Sequence, residues 1–402
     1  MISVAAARAR ILGSLRPTGA ETVALSEAWG RVAAADVVAR MTQPPADVSA
    51  MDGYALRAGD GAAGARLRIV GTAPAGHPWP GTLASGEAVR LFTGSLLPDG
   101  ADAVLLQEDA DADASGETVT LHEAVTAGRH IRRAGQDFRS GEVLVRRGRR
   151  LTARDVGLAA SGNHPWITVH RRPRIAILAT GDEIALPGEP VPPGGIVSSN
   201  AHALAASVRA CGGVPMVLPI AADDLDAIAE AAEAARGADL LVTTGGASVG
   251  AHDLVQAGLG RIGFVADFWK IAMRPGKPLM FGDLAGMKVL GLPGNPVSAL
   301  VCAVLFLRPA LLRLSGVAES GPAVESALLG AALPANDQRA DHLRAHLQPG
   351  ATLPVATAFN RQDSALLRLL AGADALILRP PHAPAAAPGT QVSIIRLDTL
   401  GW

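Results

Sequence analysis

The chain has 402 residues, of which 49% are hydrophobic but only 3% are aromatic, so aliphatic side chains must build its cores. This length exceeds what one compact core normally holds and favours about two to four domains. The 36 basic and 37 acidic residues give a formal net charge of −1. This balance argues against a nucleic-acid or membrane-surface binder, which normally carries a basic excess. An anionic ligand would need a local cluster of cations.

The N-terminus and the cysteines predict the cellular compartment. Arg8 and Arg10 interrupt the Ala-rich start of the chain where a signal peptide needs its apolar core. We find no run of about 18 apolar residues that would predict a membrane span. Cys211 and Cys302 lie in apolar, helix-like segments and lack the spacing of a zinc site. We therefore expect a cytoplasmic protein with reduced, buried thiols.

In chain order, residues 5–15 have the pattern of a helix, and residues 21–38 predict further helical stretches. From about residue 45 to 140, short β-like runs alternate with Gly and Pro turns, which is typical of a small, mostly β region. The next segment alternates strands with helices and predicts a parallel sheet covered by helices. Short strands and turns then return. The predicted domains are 1–170, with the β region inserted, 171–316 and 317–402.

Three predicted strands of the α/β region end in polar, Gly-rich turns, at residues 180–183, 243–250 and 292–296. In a parallel sheet the carboxyl ends of the strands meet at one edge, where ligands bind. Glycine lets the backbone approach a ligand closely, and free N–H groups at helix N-termini attract anions. Three such turns at one edge predict a pocket for an anion or a phosphate group.

A Pro-stiffened segment, residues 273–278, adds positive charge to the same region. Lys270, Arg274 and Lys277 could together hold an oxyanion, because a stiff backbone loses little entropy on binding. The common alternative for such side chains is a solvated basic loop. The apolar residues around them favour the binding site.

Acidic residues cluster in the same loops. Asp182 and Glu183 directly follow a strand. Mg²⁺ usually takes one or two carboxylates together with substrate phosphate, so these two residues fit a magnesium site. Asp223, Asp224 and Asp253 lie in neighbouring loops. From spacing alone, Asp223 could equally be a turn residue or a helix cap.

The second turn also allows a different interpretation, a hydrolase. Residues 246–250 match the G-x-S-x-G nucleophile elbow, with Ser248 as the nucleophile. Candidates for the acid and the base exist, and most lie in the C-terminal β region: Asp283, His342, His346 and His382. A five-residue motif also matches often by chance. The hydrolase is therefore the less favoured hypothesis.

In the N-terminal half, residues 44–55 stand out. Asp52 and Gly53 are a turn signal, and Tyr54 is the only tyrosine in the chain. A turn that leads into the β region would explain these residues without any function. Periodicity does not decide between a turn and a site.

The segment SAMDGYA at residues 49–55 is the first of eight that occur in a characteristic order. The others are residues 92–95, 100–104, 131–137, 180–183, 245–250, 274–278 and 292–296. Together they are highly specific and span about residues 40–300. Through them the chain resembles the molybdopterin molybdenumtransferases, a family that includes the C-terminal domain of gephyrin.

The resemblance implies an elongated, multi-domain homodimer of the α/β plus β class. Each chain would combine a split, mostly β N-terminal region, a central α/β parallel-sheet molybdopterin-binding domain and a small C-terminal β-barrel domain. The active cleft would lie between the α/β domain of one chain and the N-terminal region of the other. The implied reaction inserts molybdate into adenylyl-molybdopterin with Mg²⁺, which releases AMP and forms the molybdenum cofactor. Implied protein partners are the upstream adenylyltransferase and recipient molybdoenzymes.

Carried over residue by residue, the resemblance assigns roles to the loops. The implied catalytic residues are Asp52, Thr93, Asp137, Glu183 and Asp253. The implied substrate- and molybdate-binding residues are Gly245, Gly246, Ser248, Lys270, Arg274, Lys277, Pro293, Pro296, Arg344 and Ser364. The implied Mg²⁺ ligands are Asp52, Asp182, Glu183 and Asp223, with Asp224 as an alternative alignment for Asp223. Arg274 stands where many family members have lysine, which keeps the charge.

Two other functions stay open at this point. A non-catalytic molybdopterin-binding or scaffold protein could use the same fold, but the retained acids argue against a loss of activity. A molybdopterin adenylyltransferase would share only the α/β domain, and the matching N-terminal half argues against it.

Overall fold

The N-terminal region folds back so that its two ends pair with each other. The structure, a computed structural model, describes residues 1–245, 251–317 and 321–401. The elements of this region are α1 (Val4–Ser14), β1 (Ala20–Ala24), β2 (Val37–Val38), β3 (Val48–Ser49), β4 (Gly53–Leu56), β5 (Arg66–Ala73), β6 (Glu87–Leu91), β7 (Ala103–Leu106), β8 (Ala110–Ala112), β9 (Thr118–Leu121), β10 (Ile131–Arg132), β11 (Val143–Val145), α2 (Ala153–Ser161) and β12 (Trp166–His170). β1 is antiparallel to β12, β2 to β11 and β3 to β10. This arrangement confirms the split, mostly β N-terminal region.

The part inserted between β3 and β10 is a six-stranded sheet with the order β7-β4-β6-β5-β9-β8. Aliphatic side chains such as Leu56, Leu67 and Leu105 form its buried face. At the start of β4, a Cβ atom on Gly53 would lie 1.8 Å from the carbonyl oxygen of Leu105. Only glycine permits such a close approach of two strands. This packing fixes the backbone next to Asp52.

The α/β region is built on one mixed sheet. Its elements are β13 (Arg174–Thr180), β14 (Ile184–Ala185), β15 (Ile196–Val197), α3 (Asn200–Ala210), β16 (Val214–Val217), α4 (Leu225–Glu233), β17 (Leu240–Gly245), α5 (Ala251–Arg261), β18 (Phe264–Trp269), β19 (Met273–Arg274), β20 (Met280–Leu284), β21 (Met287–Leu292), α6 (Pro296–Cys302) and α7 (Arg308–Leu314). The strand order is β16-β13-β17-β21-β20-β18. The first four strands are parallel, which confirms the predicted sheet, and an antiparallel pair extends one side.

The register of the central strands brings their carboxyl ends to one edge. Thr180 at the end of β13 pairs with Gly245 at the end of β17, and Thr244 pairs with Leu292 at the end of β21. Both faces of the sheet are covered by apolar side chains of the helices, as expected for parallel strands that read as continuous apolar runs. The three Gly-rich turns therefore begin at the same edge of the sheet.

The helical run Pro296–Leu314 lies at the centre of the α/β core. It consists of α6, a π-helical turn at Ala303–Leu307 and α7. Its length and apolar composition would allow it to cross a membrane, but 83% of its most apolar window is buried inside the protein. Core helices of this kind commonly pass such a test, so the run is weak evidence for a membrane span.

The C-terminal region closes into a small barrel. Its elements are β22 (Glu325–Leu329), β23 (Ala340–Gln348), β24 (Val355–Ala358), α8 (Leu367–Ala371), β25 (Ala375–Arg379) and β26 (Gln391–Arg396). The strand order β23-β24-β22-β26-β25 closes on itself, because β25 also pairs with β23. This confirms the predicted β barrel. β19 of the α/β region joins β23 in parallel and thereby fastens the barrel to the α/β core.

Acid is expected to weaken this junction through His342, which is buried in β23. Burial lowers the pKa of His342 to about 4, although the neighbouring charge of Asp341 opposes this effect. In the unfolded chain a histidine titrates near 6.5, so between about pH 6.5 and pH 4 the unfolded chain binds the extra proton. The free energy of unfolding should therefore fall as the pH drops, by about 2 kcal/mol between pH 7 and pH 5.

Urea unfolding of the wild type and of His342→Gln at these two pH values measures this effect. The variant should lose about 2 kcal/mol less than the wild type between pH 7 and pH 5. Equal losses in both proteins would contradict the assignment to His342.

Candidate active site

In the N-terminal region, Asp52 and Thr93 form one hydrogen-bonded unit. Oδ1 of Asp52 accepts hydrogen bonds from the backbone amide of Thr93 at 2.7 Å and from its hydroxyl at 2.8 Å. The hydrogen bond from the Thr93 amide lowers the pKa of Asp52 below its usual value, and the hydrogen bond from the Thr93 hydroxyl adds to this effect. Two motifs that lie apart in the sequence, residues 49–55 and 92–95, therefore present a fixed negative charge together.

The fourth N-terminal motif, residues 131–137, lies alongside the first. β10 pairs with β3, and the amide of Asp137 donates a hydrogen bond to the carbonyl oxygen of Gln43 at 3.1 Å. The side chain of Asp137 is exposed. In the part of the chain that the structure describes, no hydrogen bond joins Asp137 to Asp52. Asp137 is thus accessible to a ligand but does not belong to the Asp52–Thr93 unit.

At the edge of the α/β sheet, three acids lie close together. The amide of Asp223 donates a hydrogen bond to Oδ1 of Asp182 at 3.1 Å. Burial, then the negative charges of Asp182 and Glu183, raise the pKa of Asp223 above its usual value. This arrangement stores electrostatic repulsion that a cation would relieve.

The structure distinguishes Asp223 from Asp224. Asp224 is the N-cap of α4, where its carboxylate accepts hydrogen bonds from the amides of Asp226 at 2.9 Å and Ala227 at 3.0 Å. The capping role that the sequence could not assign belongs to Asp224. Asp223 is left beside the two acids of the first turn.

The acid cluster is incomplete as a metal site. Among the residues that the structure describes, no group of three or more His, Cys, Asp or Glu side chains is arranged to hold a metal ion. Mg²⁺ commonly binds through one or two carboxylates and completes its shell with substrate phosphate and water. One or two of the carboxylates of Asp182, Glu183 and Asp223 would suffice for an ion of that kind.

Gly245 ends β17 in a conformation that few residues can adopt. Its φ is +143°, and a Cβ atom there would lie 2.2 Å from the carbonyl oxygen of Thr180. Glycine therefore lets the first two turns approach each other closely at the edge of the sheet. The next predicted residues, Gly246 and Ser248, lie outside the described residues, and so does the side chain of Asp253 in α5.

Two lysines reach the same edge of the sheet. β18 runs parallel to β21, because each is antiparallel to β20, so its last residue lies at the edge where β21 also ends. Lys270 follows directly, and its ammonium group lies 4.1 Å from the centroid of the Trp269 ring. The carbonyl oxygen of Lys277 accepts a hydrogen bond from the amide of Ile271 at 2.9 Å, which places both lysines on one loop. Both side chains are exposed, so their positive charges are available to an anion.

Arg274 differs from the expected free cation. Its Nε and Nη2 donate hydrogen bonds to the two carboxylate oxygens of Asp341 at 3.0 and 2.7 Å. Asp341 lies in β23 and is only 5% exposed. The guanidinium thus joins the α/β region to the barrel. This bidentate pair gives Arg274 a structural role, and its contact with molybdate stays a prediction.

Arg274→Ala is therefore expected to destabilise the protein. It would leave the carboxylate of Asp341 buried without its partner, which costs about 1.5–3 kcal/mol for a hydrogen bond to a charged group. Urea unfolding measures the loss, with Lys277→Ala as the control that removes an exposed cation from the same loop. A free energy of unfolding no lower than that of the control would contradict the structural role.

The third turn is held by the C-terminal region. The side-chain amide of Asn295 donates a hydrogen bond to Oγ of Ser364 at 3.1 Å, and the amide of Val297 donates to the carbonyl oxygen of Ser364 at 3.1 Å. These bonds place Ser364 at the turn that contains Pro293 and Pro296.

Arg344 approaches the same turn from the barrel. It is fully buried in β23, and Nη2 donates a hydrogen bond to the carbonyl oxygen of Asp363 at 3.0 Å. Within the described ranges, Nε and Nη1 are buried without a hydrogen-bond partner. Such donors are costly to leave unpaired, so a ligand or water that reaches them would be bound strongly.

Asn200 is a polar contact that sequence analysis missed. Its side-chain amide donates hydrogen bonds to Oγ1 of Thr244 at 2.9 Å and to the carbonyl oxygen of Gly294 at 2.6 Å. It therefore ties the start of α3 to the second and third turns. The only signal in the sequence is an asparagine at a predicted helix start, which is too common to single out.

The structure removes two candidates for the acid and the base of the hydrolase hypothesis, Asp283 and His342. Asp283 pairs with Lys288 at 2.6 Å, near the start of β21 and thus at the opposite edge of the sheet from the Gly-rich turns. A strand such as β17 spans about 20 Å, so Asp283 cannot reach the turn that follows β17. His342 is buried in β23, the strand that joins the barrel to the α/β region.

The candidate residues form two separate groups within one chain. One group surrounds Asp52 and Thr93 in the N-terminal region, and the other surrounds the edge of the α/β sheet. Within the described ranges of the chain, no hydrogen bond or ion pair joins Asp52, Thr93 or Asp137 to Asp182, Glu183 or Asp223.

Comparisons with known proteins agree along the whole chain. Three protein-family models match, described as "MoeA N-terminal region (domain I and II)" for residues 2–162, "Probable molybdopterin binding domain" for residues 176–313 and "MoeA C-terminal region (domain IV)" for residues 326–397. The N-terminal and C-terminal matches disfavour an adenylyltransferase, which would share only the α/β domain.

Curated relatives and solved structures give the same result. Molybdopterin molybdenumtransferase 2 of Mycobacterium tuberculosis is 35% identical over 398 residues and covers 96% of each chain. Molybdopterin molybdenumtransferase of Haemophilus influenzae is 36% identical over 79% of this chain and 78% of the relative. A crystal structure of a molybdopterin biosynthesis MoeA protein from Pyrococcus horikoshii matches with a TM-score of 0.84 at 28% identity, over 98% of this chain and all of that one. The chain therefore belongs to the molybdopterin molybdenumtransferases, enzymes of molybdenum cofactor biosynthesis.

Proposed function

We propose that the chain inserts molybdate into adenylyl-molybdopterin, releases AMP and forms the molybdenum cofactor in a cleft that two copies complete. The single observation that carries this proposal is the edge of the α/β sheet, where the turn after β13 carries two acids and the loop after β18 carries two exposed lysines. This edge matches the needs of a substrate with phosphates, a divalent cation and a tetrahedral dianion. The relatives are described as molybdopterin molybdenumtransferases.

On the α/β side, we assign anion binding to Lys270 and Lys277. Molybdate carries two negative charges, and both ammonium groups can donate charge-assisted hydrogen bonds to its oxygens. Gly245, Gly246 and Ser248 would supply backbone and hydroxyl contacts beside them. Pro293 and Pro296 shape the third turn, and Arg344 and Ser364 support it from the barrel. The two thiols of the dithiolene then bind molybdenum in place of one oxide, which leaves as water with the two thiol protons.

Asp182, Glu183 and Asp223 are the proposed ligands of Mg²⁺, and Asp52 would contribute from the N-terminal side. A bound Mg²⁺ ion would supply charge neutralisation for cleavage of the pyrophosphate bond. The raised pKa of Asp223, which the charges of Asp182 and Glu183 help to cause, supports a cation at this place.

On the N-terminal side, Asp52 is the proposed group that positions the attacking water. Thr93 holds its carboxylate in one orientation through two hydrogen bonds. Asp137 and Asp253 are further acids that we place in the cleft on the strength of the family resemblance.

A homodimer would unite the two groups of residues. The groups share no described contact within one chain, and a two-fold axis would set the N-terminal region of each chain against the α/β edge of the other. We further propose a cytoplasmic enzyme that meets the upstream adenylyltransferase and recipient molybdoenzymes. The balanced net charge supports these protein partners over a nucleic acid or a membrane surface.

Reconstitution of an apo-molybdoenzyme tests the proposed product. The purified protein, adenylyl-molybdopterin, molybdate and Mg²⁺ should activate the apoenzyme, and omission of any one of them should prevent this. A folded protein that binds molybdopterin but never activates the apoenzyme would favour the non-catalytic scaffold.

A further inference from the structure

Arg90 is a cation beside the Asp52–Thr93 unit to which no role has been assigned. It lies on β6 directly opposite Tyr54 on β4, and Phe92 follows two residues later, just beyond the end of β6. The guanidinium carbon lies 4.9 Å from the centroid of the Tyr54 ring and 5.5 Å from that of Phe92. Nη2 also donates a hydrogen bond to Oε1 of Gln107. These contacts hold the guanidinium in one position.

The other contacts of Arg90 give it no ion-pair partner among the described residues. Two arginines of the neighbouring loops are neutralised by acids, since Arg129 pairs with Glu123 and Arg133 with Asp47. Arg90 forms no ion pair with any residue that the structure describes, and its hydrogen-bond acceptor is a neutral amide. The charge of Arg90 also helps to lower the pKa of Asp52, but no ion pair joins the two side chains. A cation that aromatic rings orient in this way has donors available for an anion.

The surroundings of Arg90 are open to a ligand. Phe92 is 39% exposed, and Thr93 and Gln107 are exposed as well. Asp52 adds negative charge at the same place. A nearby cation such as Arg90 would reduce the repulsion between a phosphate group and the Asp52 carboxylate.

We propose that Arg90 binds a phosphate oxygen of the nucleotide part of the substrate, next to Asp52 and Thr93. This inference rests on the proposed function, because it takes the substrate to be a nucleotide. Phe92 and Tyr54 position the guanidinium, and Gln107 fixes its rotation. Arginine suits this task better than lysine, since its planar fork can donate two hydrogen bonds to one phosphate.

Binding of AMP, the nucleotide product, tests the proposal in the full-length protein. Calorimetry should give a Kd for AMP that is about tenfold higher in Arg90→Gln than in the wild type. Arg90→Lys should fall between the two, because it keeps the charge. Phe92→Leu should also weaken binding, since it removes the aromatic face. Arg57→Gln is the matched control, because Arg57 is an exposed arginine just beyond β4, and its Kd should not change.

Steady-state kinetics separate binding from a general loss of structure. Arg90→Gln should raise the KM for adenylyl-molybdopterin more than it lowers kcat, with an unchanged midpoint of urea unfolding. An unchanged Kd for AMP in Arg90→Gln would overturn this inference, while AMP release by the wild type would leave the proposed function standing. A wild-type protein that neither binds nor releases AMP would overturn both.

Discussion

Replacement of Asp52 by asparagine is expected to lower the rate of AMP release by about 10²- to 10⁴-fold, the contribution typical of a positioned acid or base. Asparagine is nearly the same size and can still accept the hydrogen bonds of Thr93 through its carbonyl oxygen. It cannot carry the negative charge that the Thr93 contacts stabilise by lowering the pKa of Asp52. The loss should therefore appear in kcat, with a nearly unchanged midpoint of urea unfolding.

Asp60→Asn is the matched control for this experiment. Asp60 is another acid of the same N-terminal sheet region, and it accepts hydrogen bonds from Oγ of Ser85 at 2.8 Å and from the amide of Gly86 at 3.1 Å. It is not part of the candidate site, so its variant should release AMP at the rate of the wild type. Full activity of Asp52→Asn would remove Asp52 from the catalytic residues.

Two inactive variants are expected to restore activity when they form mixed dimers. Each proposed cleft takes its N-terminal region from one chain and its α/β edge from the other. In a dimer of Asp52→Asn with Glu183→Gln, one cleft therefore carries both changes and the other carries neither. Random pairing of equal amounts makes half of the dimers mixed, so about a quarter of all clefts are intact. AMP release by the mixture should therefore recover to about a quarter of the wild-type rate.

A mixture of Asp52→Asn with Thr93→Val shows whether the formation of mixed dimers is by itself enough to restore activity. Both changes lie in the N-terminal region, so every cleft of the mixed dimer carries one of them and activity should stay low. If the Asp52→Asn and Glu183→Gln mixture also stayed inactive although mixed dimers were isolated, each cleft would have to be built from one chain.

The order of the α/β elements could be predicted from the sequence because continuous apolar runs and Gly-rich turns recur there at regular spacing. The rule that parallel strands end at one edge then placed the three turns together, and the register of β13, β17 and β21 confirms this. The helical prediction for residues 21–38 was wrong. These residues form β1, a 3₁₀ turn at Leu25–Glu27 and β2. β1 forms because it pairs with β12, which is distant in the sequence, and local residue preferences carry no information about such a partner.

The candidate site was predictable where its residues belong to the turns themselves. The ion pair of Arg274 with Asp341 was not, because it depends on how the barrel packs against the α/β core. The same limit applied to Asp223 and Asp224, since only the position of the first turn of α4 decides which acid is the cap. Arg90 was missed because alternating strand residues give no sign of which cation lacks an acidic partner. The roles of the individual site residues and the domain boundaries stay predictions.

The most direct measurement is the release of AMP from adenylyl-molybdopterin by the purified protein, with and without molybdate, in the presence of Mg²⁺. The proposed function predicts that the protein retains the adenylylated substrate until molybdate is added and then releases one AMP for each molybdenum cofactor formed. AMP release that does not depend on molybdate, or none from a folded protein that binds the substrate, would contradict the proposal that the chain couples insertion of molybdate to cleavage of the nucleotide.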